Sequence, residues 1–189
     1  MDYKRMRAIA DELAKVMPNE AKSLEIGADQ IVMMMSPSRA HDLLAFKIRH
    51  QLEQQIPPTL AALTSGDVED PVLGRLRRPD VLVVDFEAFE EDTMDPLHPA
   101  DVRLVAEIVS PSHRTSDYVD KMRDYPAMGI PAYLLVDPND GRIQVHTEPG
   151  PSPDGPQYHR RYDHTFGDPV PVLDWTVDTA DFRRYPNAK

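Results

Sequence analysis

Hydrophobic and polar positions along this chain fall into short blocks whose period alternates between helix and strand. Met6, Ile9, Ala10, Leu13, Val16 and Met17 share one helical face, which predicts an amphipathic helix over 6–17 ended by Pro18 and Asn19. The stretch KSLEIGADQIVMMM (22–35) predicts a hairpin, with strands at 24–26 and 30–35 about a turn containing Gly27. Ser36-Pro37-Ser38 stops it, and Ser38 is suited to N-cap a helix over 39–55. His41, Leu44, Ile48, Leu52 and Ile56 line the apolar face of that helix, and Pro57-Pro58 closes it.

Residues 59–66 read as a strand or the approach to one, and 67–71 as an acidic turn. The run 81–84 is nearly all apolar, as in a central strand covered on both faces, and 104–109 is a second such run. A helix begins near Ser116. It carries Asp117, Lys121 and Tyr125 on one face, Pro126 should bend its last turn, and Gly129 fits the position after its C-cap. Residues 131–137 predict a buried strand, Pro138-Asn139-Asp140-Gly141 a turn, and 142–146 the returning strand. A proline-rich loop (148–156), strands at 157–162 and 170–175, and a tail follow. The expectation is one domain over 1–189, with the helix at 6–17 and the tail at 176–189 peripheral.

With 41% hydrophobic residues, the 189-residue chain can bury a core. It has no cysteine, which excludes disulfides and thiolate zinc sites and fits a reducing cytoplasm. The N-terminus has no apolar stretch of the signal-peptide kind, and no run approaches the ~18 apolar residues a membrane helix needs. A soluble, cytoplasmic protein with no membrane contact is expected. The net charge of −11 argues against bulk electrostatic binding of nucleic acid, but it leaves room for an enzyme that meets a polyanion at one basic patch with metal ions between.

The candidate chemistry lies between Pro79 and Pro138. Asp80 opens one apolar run, and Glu107 interrupts the other, where an ionised acid is costly unless a metal ion, a lysine or water at a strand edge compensates it. Asp80 and Glu107, helped by the backbone carbonyl of Ile108, suit Mg²⁺ or Mn²⁺, which would polarise a phosphate and activate water. Lys121 would position the water and offset charge on phosphorus. A structural Asp117–Lys121 ion pair explains the helix equally well. Arg75, Arg77 and Arg78 form a basic cluster that reads either as a solvated turn or as contacts to substrate phosphates. His41 reads either as a hydrogen-bonded core histidine or as a residue lining the cleft from the opposite side. The acidic segment containing Glu87, Glu90, Glu91, Asp92 and Asp95 reads as a solvated loop. No dinucleotide-binding, Walker, nucleophile-elbow or HExxH motif is present.

Taken together, Pro79-Asp80, the run EIVSPS at 107–112, and the spacing of Asp117, Lys121, Tyr125, Gly129-Ile130-Pro131 and Leu135-Val136-Asp137-Pro138 resemble the Uma-two family of restriction endonucleases, within the PD-(D/E)XK nuclease superfamily. Met35-Ser36-Pro37-Ser38 and His41 extend the resemblance, which covers about 22–175. It implies an α/β, restriction-endonuclease-like core: a mixed central β-sheet flanked by helices, with extra β-hairpins and a divalent metal at the site. Asp80 matches the PD aspartate and Glu107 the second acid. The superfamily's usual lysine position is Val109 here, and Lys121 matches the lysine this family carries on the next helix. Asp117 and Tyr125 match supporting positions. The function implied is Mg²⁺-dependent hydrolysis of DNA phosphodiesters. The alternatives are an inactive nuclease-fold module for binding or dimerisation, and another metal-dependent phosphohydrolase acting on nucleotides or RNA. A two-fold homodimer would suit cutting both strands of a duplex.

Overall fold

The computed structural model describes residues 2–90, 93, 95–111 and 114–186, with Lys22 described by its backbone alone. Glu91 and Asp92 of the acidic segment, Ser112 and His113 lie outside the described residues, as do positions 187–189 of the tail.

Six strands form the central sheet: β3 (Leu60–Leu63), β6 (Val81–Asp85), β7 (Val102–Ile108), β8 (Ala132–Asp137), β9 (Arg142–Gly150) and β10 (Gln157–Thr165). Their order is β10-β9-β8-β7-β6-β3. Only β7 and β8 run parallel, so the sheet is mixed, as the resemblance implied. The crossover between the parallel pair is helical: a wide π turn at Ser116–Asp120 runs into α4 (Lys121–Ala127). A second, antiparallel sheet has the order β2-β1-β5-β4, with β1 Ala21–Ile26, β2 Ile31–Met35, β4 Val68–Asp70 and β5 Arg75–Arg77. Among the described residues no helix is long and apolar enough to cross a membrane.

Strand alternation divides the buried side chains into three groups. On one face of the central sheet, Val81, Val83, Leu104, Ala106, Leu134 and Val136 pack with Leu44, Ile48 and Leu52 of α2 (Arg39–Glu53). A terminal hairpin of β11 (Pro169–Val172) and β12 (Trp175–Asp178) joins that core. On the other face, Leu82, Val84, Val105, Val109, Tyr133 and Leu135 meet Tyr125 and Met128 of the crossover. The third group is small: Leu24, Ile26 and Leu76 of the second sheet bury against Met6 and Ala10 of α1 (Tyr3–Ala14). The same alternation turns Ser23, Glu25, Arg75 and Arg77 to the opposite side of that sheet.

Local signals account for the helix ends. The Ser38 side chain accepts from the His41 backbone N–H at 3.3 Å, capping α2. Gly129 takes the left-handed conformation (φ 74) after α4, while Gly129 N–H and Ile130 N–H bond the Pro126 and Tyr125 carbonyls at 3.1 Å each. This is a Schellman closure, and the buried Ile130 completes it.

Several segments differ from expectation. The acidic turn at 67–71 contains β4, and the arginine cluster is largely β5, because the two pair with each other as an antiparallel ribbon. Part of the acidic loop is a short helix, α3 (Phe86–Glu90). The strand begun at Arg142 runs on through the Glu148–Gly150 part of the proline-rich loop, paired with β10. The run at 170–175 is two strands rather than one. The tail packs closely: Phe182 is 3% exposed and sits in the core beneath α2.

Candidate active site

The register of β6 on β7 pairs Val81 with Ala106. One residue beyond, Asp80 therefore stands across from Glu107, and directly opposed residues project from the same face. The Ile108 backbone N–H donates to Asp80 Oδ2 at 2.9 Å, tying the first acid to the strand that carries the second. Both acids line a pocket of about 210 Å³, together with His41, Asp117, Lys121 and Arg78.

The crossover brings the lysine. Asp117 and Lys121 stand four residues apart where the wide turn meets α4. The Tyr133 hydroxyl donates to the Asp117 carbonyl at 3.0 Å, pinning the wide turn to β8. Lys121 Nζ lies 2.9 Å from Glu107 Oε1, 3.1 Å from Asp117 Oδ1 and 3.7 Å from Glu25 Oε1. The Tyr125 hydroxyl donates to Glu107 Oε1 from behind. His41 arrives from the other face of the sheet at the start of α2, with Nε2 3.1 Å from Asp80 Oδ2. Its two sequence readings merge: it is a buried, hydrogen-bonded histidine, and it lines the cleft.

Burial sets the proton affinities. It raises the Glu107 carboxyl well above the ordinary range; Lys121 opposes this, while Asp80, Asp117 and Glu25 add to it. Asp117 is raised for the same reason, with Lys121 again opposing. Burial also works to raise Asp80, but the His41 hydrogen bond and charge, the Lys121 charge and the Ile108 N–H outweigh it and hold Asp80 low. For Lys121, burial works to lower the value, yet the surrounding carboxylates win and the ammonium is strongly retained.

The arginines divide. Arg78 lines the pocket. Arg75 and Arg77, which read as either a solvated turn or phosphate contacts, do not: Arg77 is buried, with Nη1 on Glu25 Oε2 at 2.9 Å and Nη2 on Asp124, and Arg75 Nε bonds Asp124 Oδ1 at 2.9 Å. Strand alternation turns both into the packing against α4, where carboxylates absorb their charge. The sequence reading also missed Glu25, Asp124 and Tyr185, another pocket-lining residue. Glu25 carried a readable signal, since it interrupts the apolar run Leu24-Glu25-Ile26 as Glu107 interrupts its own.

The donor set favours a hard cation. Among the described residues, Glu25, Asp80, Glu107 and Asp117 gather around the ammonium of Lys121, with His41 on Asp80 and, on Glu25, the guanidinium of Arg77, which Asp124 shares. That surplus of buried negative charge calls for a proton or a cation. Among the described residues no three acidic, histidine or cysteine side chains form a ready metal-binding group. Asp80 and Glu107 plus a backbone carbonyl would leave water and phosphate to complete the shell, a common arrangement for small hard cations.

The fold is shared with a crystal structure described as a putative nuclease belonging to DUF820 from Anabaena variabilis, with a TM-score of 0.64 over 86% of this chain and 88% of that one, at 15% identity. The family model Uma2, described as putative restriction endonuclease, matches residues 10–177. The chain belongs to the Uma2 family. No curated protein matches it. Membership in the Uma2 family supports a nuclease, and the fold is the restriction-endonuclease-like one that the residue pattern resembled. The Uma2 match contains each pocket acid and Lys121 but ends before Tyr185.

Proposed function

We propose that this protein is a divalent-metal-dependent nuclease that hydrolyses phosphodiester bonds in DNA, with Asp80, Glu107 and the Ile108 carbonyl holding Mg²⁺ or Mn²⁺. The observation that carries the reading is that Asp80, Glu107 and Lys121 line one pocket, with the lysine ammonium 2.9 Å from Glu107. The cation, when bound, would withdraw charge from the scissile phosphate and acidify an attacking water. The carboxylates around Lys121 favour its ammonium form, which suits a donor that orients that water and offsets charge building on the phosphate oxygens. Ile108 N–H and His41 fix Asp80 in its ionised form. Tyr125 and Asp117 hold Glu107 and Lys121 in place. Arg78, at the pocket wall, is the arginine suited to meet a phosphate. A two-fold homodimer in the cytoplasm acting on duplex DNA completes the proposal.

Supercoiled plasmid incubated with Mg²⁺ or Mn²⁺ tests it. Wild type should nick, and Glu107→Gln should lose about a hundredfold or more of that activity. Equal rates would sink the assignment. The net charge of −11, together with the absence of a three-ligand group among the described residues, favours one competing reading: a nuclease-fold binding module without catalysis. Calorimetry separates the two, since Mn²⁺ binding that disappears in Asp80→Asn is incompatible with the module.

A further inference from the structure

The segment after β12 is a strap that crosses one end of α2 and of the central sheet. Gln51 of α2 exchanges two hydrogen bonds with the Asp178 backbone, at 2.9 and 2.6 Å. Lys47, one turn earlier, reaches Asp181 Oδ2 at 2.5 Å and its carbonyl at 3.2 Å. Phe182 is driven into the core and meets Phe166 edge-on, with centroids 5.5 Å apart. Arg184 then passes over the β8–β9 turn at Gly141, so closely that a Cβ on that residue would lie 2.5 Å from the guanidinium Nε. The Tyr185 N–H bonds the Pro138 carbonyl at 3.0 Å. Five successive attachments thus fix the place where the Tyr185 side chain emerges, which is in the wall of the pocket that holds Asp80, Glu107 and Lys121.

Beyond the apolar anchor at Phe182, the strap delivers a phenol beside the acidic centre. The carboxylates whose charges act on that phenol are Asp80, Asp137, Asp117 and Asp42. Burial, with those charges adding to it, raises its proton affinity, so it is a neutral hydrogen-bond donor at any working pH. Among the described residues no side chain receives its proton in a hydrogen bond. A phosphodiester approaching this pocket meets a surplus of carboxylates, and donors on the wall are what can hold it.

We propose that Tyr185 is a substrate-contacting residue, whose hydroxyl donates to a non-bridging phosphate oxygen of the phosphodiester seated over Asp80 and Glu107, and that the 179–186 strap exists to place it there. The proposal rests on the nuclease reading above and extends it to a segment beyond the family match.

The test is steady-state cleavage of a fluorescent DNA duplex in Mn²⁺ by the full chain, by Tyr185→Phe, and by a chain stopped after Phe182. Tyr185→Phe keeps the ring and the strap and removes only the donor. Its KM should rise about tenfold, with kcat within a factor of two and the melting temperature unchanged. The shortened chain should show at least the same rise in KM. Unchanged KM in Tyr185→Phe, or a fall in kcat alone, overturns the contact while leaving the nuclease reading intact. A wild type that neither cleaves nor binds the duplex, by anisotropy in Ca²⁺, overturns both.

Discussion

Two buried ionic clusters lie side by side in this protein, and they are built to opposite ends. In the first, Arg75 and Arg77 converge on Asp124, and Arg77 continues to Glu25. Two inward-facing cations meet two anions, with the exposed Arg123 at 3.5 Å from Asp124 besides, nearly every polar atom has a partner, and Asp124 is held below its ordinary range: burial alone would raise it, but Arg77 and Arg75 prevail. In the second, among the described residues, Lys121 faces Glu107, Asp117 and the other oxygen of Glu25, with Asp80 and its partner His41 beside them, and both Glu107 and Asp117 are pushed up by burial. Glu25 belongs to both clusters, one carboxylate oxygen to each. A closed cluster of matched charges supports the packing of the small sheet on α4. A cluster left with surplus negative charge, opening into a pocket, is instead set up to receive a cation. Burial is common to the two, so it is the charge balance that separates scaffold from site.

The largest effect should come from breaking the closed cluster. Arg77→Met fills the same space but strands Asp124 and Glu25 without their main counter-charge. Loss of one partner of a buried pair typically costs about 3–5 kcal/mol, and urea unfolding should show a drop of that order. A loss below about 1 kcal/mol would mean that the cluster is hydrated and that the contrast with the site is illusory.

Relieving the unbalanced cluster should act in the other direction. Asp117→Asn keeps an acceptor for Lys121 and removes one of the surplus charges, so stability at pH 7 should rise in urea unfolding. The sign follows from linkage. A carboxyl whose folded value is raised binds more protons folded than unfolded, so stability is greatest below its unfolded value and falls as pH climbs through the folded one. The wild-type loss on going from acid to neutral pH should therefore be shallower in Asp117→Asn. A variant destabilised at pH 7 would show that Lys121 depends on the Asp117 charge and that the second cluster is closed after all.

How much of this was readable from sequence depends on which face a residue uses. The central sheet was legible because 81–84, 104–109 and 131–137 are continuous apolar runs, and only strands buried on both sides read that way. Asp80 and Glu107 stood out because each carries charge into, or directly beside, such a run, and Lys121 because it shares a helical face with Asp117 and Tyr125. The second sheet was less legible. β4 and β5 are short, the first carries two acids and the second Arg75 and Arg77, which hydropathy scores as a turn; only the pairing across the ribbon reveals them as strands. The joint role of Glu25 depends on β1 and β5 being neighbours, a non-local fact no local pattern encodes. Tyr185 is the limiting case. Nothing near it in sequence is periodic, and its position is fixed by Phe182, Gly141 and Pro138, which meet only once the chain has folded.

The smallest effect calibrates the comparison. Arg103 and Asp85 form a two-pronged pair on neighbouring strands β7 and β6, at 2.9 and 2.5 Å, with geometry as good as that of either buried cluster. Their side chains remain 44% and 32% exposed. Water screens both charges before and after folding, so a double-mutant cycle with Arg103→Ala and Asp85→Ala should give a coupling of only about 0.2–1 kcal/mol, shrinking further in 1 M salt. The Arg77 cluster should be far less sensitive to the same salt. If the two respond alike, contact geometry rather than burial sets the strength of these pairs. The assignment of Arg77 to the scaffold and of Lys121 to the site would then lose its physical basis.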